Sequence, residues 1–351
     1  MGTSATSEAT QSPFINILNQ CVEETWTEAI NTLLPSIHAV DRNATQIWFK
    51  FYPLALFEAL QSASDEAKLA QALLLQGSYH LSNQIDSSHR FLYGHRYWPQ
   101  AKAAVIKQGG SHQGSTVIDR AAWLSDQIMT VARETATSLK IDPGLLVGIT
   151  AVAFMTLRQT GITAFKAAAG EVLLDKKHAR KTAEQILKER ARDDSQGLFG
   201  FLKTVDKKWT VVFDENDEGA RYKLNHAQDL AWGAADDRSR DWVMLDPRCI
   251  EGPIPVECRS ASCGTCWVGV LGGAEKLSEV AARESKKIKE FGYIDTDEPK
   301  PLIRLACQAQ AEGAVSIVIP PWNGQFGKQL RSGKSDDAID GERGQTEEAV
   351  N

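Results

Sequence analysis

Four of the six cysteines in this 351-residue chain are spaced for metal chemistry. Cys258, Cys263 and Cys266 crowd into CRSASCGTC, and Cys307 follows after 40 intervening residues, giving C-x4-C-x2-C and then a distant C. A thiolate is a soft, anionic ligand, so four converging thiolates suit zinc or an iron–sulfur cluster. Zinc sites usually carry two C-x2-C knuckles, whereas this chain has one. The x4 and x2 spacings with a remote fourth cysteine match a 2Fe–2S pattern. The residues between the thiols are small (Ser260, Ala261, Ser262, Gly264, Thr265). Such a loop can wrap a cluster and aim backbone N–H groups at its sulfurs, stabilising the charge added on reduction.

The other candidates are weaker. Cys249 lies nine residues before Cys258 and is either a spare ligand or a small buried hydrophobe; Cys21, on an apolar helix, reads as the latter. YHLSNQIDSSHRFLYGHRYWPQ (79–100) offers His80, Asp86, His89 and His95 beside several aromatic residues. These side chains can ligate haem or a metal, and Arg90, Arg96 and the aromatics can form a docking surface. The alternative is a polar network that packs a helix junction. No C-x-x-C-H marks covalent haem.

The elements that must position these residues fall into two textures. From about 14 to 192 the chain reads as helices. Apolar residues recur at three- and four-residue spacing in 15–34, and 44–60 continues the pattern until Pro53 breaks it. Ser115 and Thr116 are expected to cap a helix over 117–139, and Asp142-Pro143 to open the next one. A charged amphipathic helix is expected over 176–194. Beyond 208, KKWTVVFDENDEGARYKL has two β-branched and aromatic runs around Asp214–Gly219, a hairpin signal. Residues 228–236 suggest a helical turn, 267–271 a strand starting directly after Cys266, 276–291 a helix, and 314–320 a closing strand.

With these elements in place, residues 208–322 resemble a plant-type ferredoxin domain, the β-grasp fold holding one 2Fe–2S cluster. The likeness rests on the hairpin, the cysteine loop, CGTCWVGVLGGAEKLSEV after it, and LACQAQAEGAVSIVI around the last cysteine. It implies that Cys258 and Cys263 hold the outer iron and Cys266 and Cys307 the inner one. The segment 236–257 is longer than the usual approach to the first ligand. The first 195 residues resemble no named family.

The expected organisation is multidomain, an all-α domain followed by an α+β domain of β-grasp type. It runs as a disordered 1–13, a helical docking or assembly domain over 14–195, a linker over 196–207, the 2Fe–2S domain over 208–328 and a disordered acidic tail over 329–351. The amino terminus lacks the basic and apolar regions of a secretory signal, and the longest apolar run, 144–157, falls short of the roughly 20 residues of a membrane span. The chain is therefore read as cytoplasmic, with no membrane span. Its net charge of −6 and lack of a basic recognition helix argue against nucleic acid. Residues 209–328 carry 19 acids and 14 bases, a balance that steers toward a basic partner. No G-x-G-x-x-G, Walker or G-x-S-x-G motif is present, and the amino-terminal half shows no strands.

The functional expectation is an electron-transfer protein carrying one 2Fe–2S cluster, more a carrier or subunit than a stand-alone enzyme. It would exchange single electrons with a redox partner or multisubunit oxidoreductase docked through the helical domain, which also offers a route to self-association. The alternative is an oxidoreductase whose helical half holds an additional haem or metal site fed by the cluster.

Overall fold

The structure is a computed structural model and describes residues 12–110, 117–193, 207–292 and 300–327. The expected termini 1–13 and 329–351 and the linker 196–207 fall almost wholly outside these residues, as do Ser115 and Thr116. The helices of the amino-terminal half are α1 (Pro13–Asn19), α2 (Glu23–Leu33), α3 (Ala39–Phe51), α4 (Leu54–Ser62), α5 (Glu66–Ala72), α6 (Trp98–Gly109), α7 (Arg120–Leu139), α8 (Gly144–Ala167), α9 (Lys176–Ala179) and α10 (Ala183–Ala191). The chain divides into two compact units, one of residues 1–49 and 80–187, the other of 50–79 and 188–351. A single boundary near 195–207 does not describe this division, because the segment 50–79 belongs with the carboxy-terminal residues.

The first unit is built around α8, which packs against α6 and α7 and buries nearly all of its first four turns. Its length and composition would allow it to cross a membrane, but 67% of that apolar window is buried inside the protein. Gly161, at φ 76° and ψ 158°, interrupts its last turns, a conformation that a side chain with a Cβ rarely adopts. Asp142 accepts a hydrogen bond from Gly144 N at 2.8 Å, and α8 starts at Gly144 with Pro143 at its cap, one residue later than expected. α7 is capped by Asp119, whose carboxylate accepts from Ala122 N at 2.9 Å; the helix therefore starts at Arg120 rather than 117. The helical stretch expected over 15–34 is broken between Asn19 and Glu23. The one expected over 176–194 is divided by a reciprocal cap: Thr182 Oγ1 accepts from Gln185 N, and Gln185 Oε1 accepts from Thr182 N. This arrangement starts a new helix and ends the previous one.

The second unit contains β1 (Gln76–Gly77), β2 (Lys208–Val212), β3 (Arg221–Asn225), β4 (Gln228–Asp229), β5 (Trp267–Gly272), β6 (Ile303–Leu305), β7 (Gln310–Ala311), β8 (Val315–Val318) and β9 (Trp322–Asn323). Its main sheet has the order β3-β2-β8-β5-β6, with β2 and β8 parallel and the other pairs antiparallel. Helices α11 (Leu230–Ala235), α12 (Trp242–Leu245) and α13 (Ala282–Phe291) complete it. The helix expected over 276–291 starts only at Ala282, since Leu277 is drawn into a bridge with Ala311.

The segment 50–79 enters the core of this unit. Trp322 donates its indole N–H to Phe51 O at 2.6 Å, and Trp267 donates to Trp322 O at 3.2 Å. The Phe51 and Trp322 rings lie 5.2 Å and 5.4 Å from that of Trp267, and all three are fully buried. β1 pairs with β9, so the amino-terminal half does hold a strand. At two residues it is too short to leave a periodic signal.

Candidate metal centre

The four candidate cysteines are carried by two neighbouring stretches of the second unit. Cys266 immediately precedes β5 and Cys307 follows β6 by two residues. The register sets Trp267 opposite Leu305, and Ala306 N donates to Cys266 O at 2.9 Å. The sheet thereby brings residues 41 apart in sequence side by side.

The loop from Cys258 to Cys266 is wound by left-handed residues: Arg259 (φ 50°), Ala261 (φ 56°) and Gly264 (φ 73°). Alternating the backbone hand turns successive N–H groups to one side, forming a concavity that favours an anion. The amides of Ser260, Ser262 and Cys263 all donate to Cys258 Sγ, at 3.5, 3.2 and 3.4 Å. Gly264 is required twice over. Its φ is positive, and a Cβ there would lie 2.7 Å from the ring of Phe291.

Two pairs of thiols result, Cys258 with Cys263 and Cys266 with Cys307. Cys258 and Cys263 are half-buried, while Cys266 and Cys307 are buried. Burial works against ionising Cys258, but the three amides outweigh it and bring its thiol down to about 6. Cys307 is brought down to about 7, chiefly by the Cys266 thiol and also by Gln308, whose Nε2 lies 3.4 Å from Cys307 Sγ. Cys266 is pushed well up by its bond to Cys307 and by burial, and Cys263 is pushed up by burial. Each pair therefore holds one sulfur poised as a thiolate. The donor set fits a soft binuclear centre, because it offers sulfur ligands two by two with N–H groups aimed at them. Among the described residues, no group of three or more His, Cys, Asp or Glu side chains is placed to hold a single ion.

A buried ion pair supports this site. Arg304 and Glu284 are 0% and 1% exposed and meet through two bonds of 2.9 and 3.0 Å. Glu284 Oε1 also accepts from Leu305 N at 2.8 Å, and Arg304 Nη1 donates to Ser278 O at 2.7 Å. Helix α13 is thus tied to the strand end that carries Cys307. Sequence reasoning missed Glu284, which sits in a charged helix and gave no sign of burial. Arg304, between apolar Ile303 and Leu305 on a strand, was the available signal.

The remaining candidates stand apart. Cys249 is buried, with its thiol 3.3 Å from Pro253 O and pushed up to about 12 by burial. Cys21 is buried and raised to about 11, again by burial. In the first unit, His89 and His95 are completely buried and bonded Nδ1 to Nδ1 at 2.9 Å, and the His89 ring lies tilted against Trp98 with centroids 3.9 Å apart. Asp86 accepts from Trp98 Nε1 and from Gly170 N, both at 2.8 Å. His80 is half-buried ahead of a 3-10 turn, Leu81–Gln84. These contacts form a packed polar network in which His95 Nε2 is buried without a hydrogen-bond partner. Arg96 lies on the Tyr93 ring and donates to Ala179 O and Lys181 O. Leu92, Tyr93, His95 and Trp98 are buried, so the stretch 89–98 is mainly interior, with Arg90 its exposed residue.

Residues 239–312, which include all four candidate cysteines, match the family model of the 2Fe-2S iron-sulfur cluster binding domain. The cofactor of this domain is a 2Fe–2S cluster. The amino-terminal half matches no family model, and no solved structure matches the chain.

Proposed function

We propose that the protein is an electron-transfer protein whose cluster is held by Cys258, Cys263, Cys266 and Cys307. The observation that carries this reading is the pairing of the four thiols, within the matched domain, around a loop that points three amides at one sulfur. The bound cluster supplies a one-electron couple. The chain's own residues supply four sulfur ligands and N–H donors from Ser260, Ser262, Cys263 and Gln308 that favour added negative charge. The half-buried side of Cys258 and Cys263 suits exchange with a partner, as the outer position does in the ferredoxins this region resembles. We further assign the mixed five-stranded sheet with α13 against β6 to the β-grasp type. The helical unit is assigned to assembly with a larger oxidoreductase.

Purified, anaerobically handled protein is expected to contain about two irons and two acid-labile sulfides per chain. It should show broad visible absorption without a Soret peak and a paramagnetic signal on one-electron reduction. Stoichiometric zinc without sulfide, or a Soret band, would overturn the assignment.

A further inference from the structure

We infer that the segment 232–250, through its exposed apolar residues Trp232, Val243, Met244, Leu245 and Ile250, is the docking surface for a redox protein whose own apolar contact edge is ringed by Lys or Arg. The inference rests on the electron-transfer reading and names the surface through which transfer occurs.

These five side chains are 53, 47, 81, 64 and 68% exposed, and they include the majority of the large apolar side chains left in solvent among the described residues. They come from one segment, 232–250, which lies largely within the part that is longer than a ferredoxin normally requires. The segment is held in shape from within. Trp242 turns inward and donates to Asp237 O at 3.1 Å, and Arg238 reaches Ala235 O at 2.5 Å and Glu251 O at 2.7 Å. The next three residues of α12 are consequently presented outward. An apolar surface kept exposed on a braced support marks an interaction site rather than loose packing.

The segment also adjoins the cysteine loop. Arg259, the residue after Cys258, lays its guanidinium 4.2 Å from the Trp232 ring and pairs with Glu251. Docking at Trp232 therefore brings a partner beside the more exposed thiol pair.

Charge selects the occupant. Residues 229–259 hold seven acids and four arginines. Three of the arginines are paired within the unit, Arg240 to Asp217, Arg248 to Asp246 and Arg259 to Glu251, and Arg238 is engaged by carbonyls. Asp236, Asp241 and Glu257 are exposed in or beside the same segment. A second copy would set these acids against their equivalents, whereas a basic rim would complement them.

The test uses the reduced, cluster-loaded full chain and two oxidants. One is cytochrome c, a basic protein whose haem edge is ringed by lysines; the other is ferricyanide, which needs no docking. In each case one electron leaves the reduced protein, and ferric iron in the acceptor becomes ferrous. The rate with cytochrome c is expected to fall as salt is raised, and to drop about tenfold or more in Met244→Ser/Leu245→Ser/Ile250→Ser. The ferricyanide rate and the paramagnetic signal should be unchanged in that variant. A variant as fast as wild type with cytochrome c, a rate indifferent to salt, or a wild-type dimer that the substitutions dissolve would overturn the inference. Wild-type protein that yields no electron even to ferricyanide would instead refute the electron-transfer reading beneath it.

Discussion

Between Cys258 and Cys266 the backbone turns its N–H groups toward a half-exposed sulfur; between His80 and Trp98 the side chains turn toward one another in a closed interior. Both stretches gather residues able to bind metal. In the first, left-handed residues spend conformational energy to keep amides facing outward from the chain, and those amides meet only thiols. In the second, His89 Nδ1 is bonded to His95 Nδ1, His89 Nε2 to Ile85 O, and Asp86 to Trp98 and Gly170. The two stretches differ less in residue types than in exposure: Cys258 and Cys263 are half-buried, whereas His89 and His95 are wholly enclosed.

Removing a thiol should separate the two regions most sharply. Cys307→Ala is expected to lose the cluster outright, with iron, sulfide and the paramagnetic signal all falling to background, because one iron loses a strong ligand. Cys249→Ala and His89→Gln should retain all three. A Cys307 variant with full iron and sulfide would show that the paired thiols are not the ligand set.

The support of the site can be probed through Glu284. Glu284→Gln leaves Arg304 buried with an uncompensated charge, a change that costs about 3–5 kcal/mol. Denaturant unfolding of the variant should show a loss of that order, with the cluster released earlier in the transition than in wild type. A change under about 0.5 kcal/mol, as for an ordinary surface substitution, would mean that the pair does not hold the Cys307 turn.

The smallest effect expected is the pH response of the histidine network. Burial, reinforced by Arg90 and opposed by Asp86, brings His95 from 6.5 down to about 4, and burial with the His95 neighbour also holds His89 down. The unfolded chain therefore binds more protons than the folded one between about 4 and 6.5. Stability is fully present above that window and declines as pH falls through it. Between pH 7 and pH 5 the contribution of His95 amounts to roughly 2 kcal/mol. Unfolding of wild type and His95→Gln at the two pH values isolates it, and equal pH slopes would remove the histidine pair from this account.

The cysteine loop was legible because its spacing is local: C-x4-C-x2-C and the small residues between the thiols are all contained in nine positions. The β2–β3 hairpin, β5 after Cys266 and the break at Pro53 were legible for the same reason, each being set by neighbouring residues. Helix ends were read less well where two signals competed, as when Thr182 and Gln185 capped each other within a charged run that otherwise reads as continuous.

Residue types and short spacings were enough to set the thiol chemistry of Cys258, Cys263, Cys266 and Cys307 and the helical or extended character of the chain around them. Folding in three dimensions was needed to place Lys50–Tyr79 with the cysteine-bearing unit, where Phe51 meets Trp267 and Trp322 and β1 pairs with β9. Burial of Glu284 and Arg304 and the meeting of His89 with His95 in the interior likewise come from the three-dimensional packing. The physical reason is common to all of these. Side-chain type and short spacing set local preference, whereas burial and partnership arise between residues up to 271 positions apart, which no local pattern encodes.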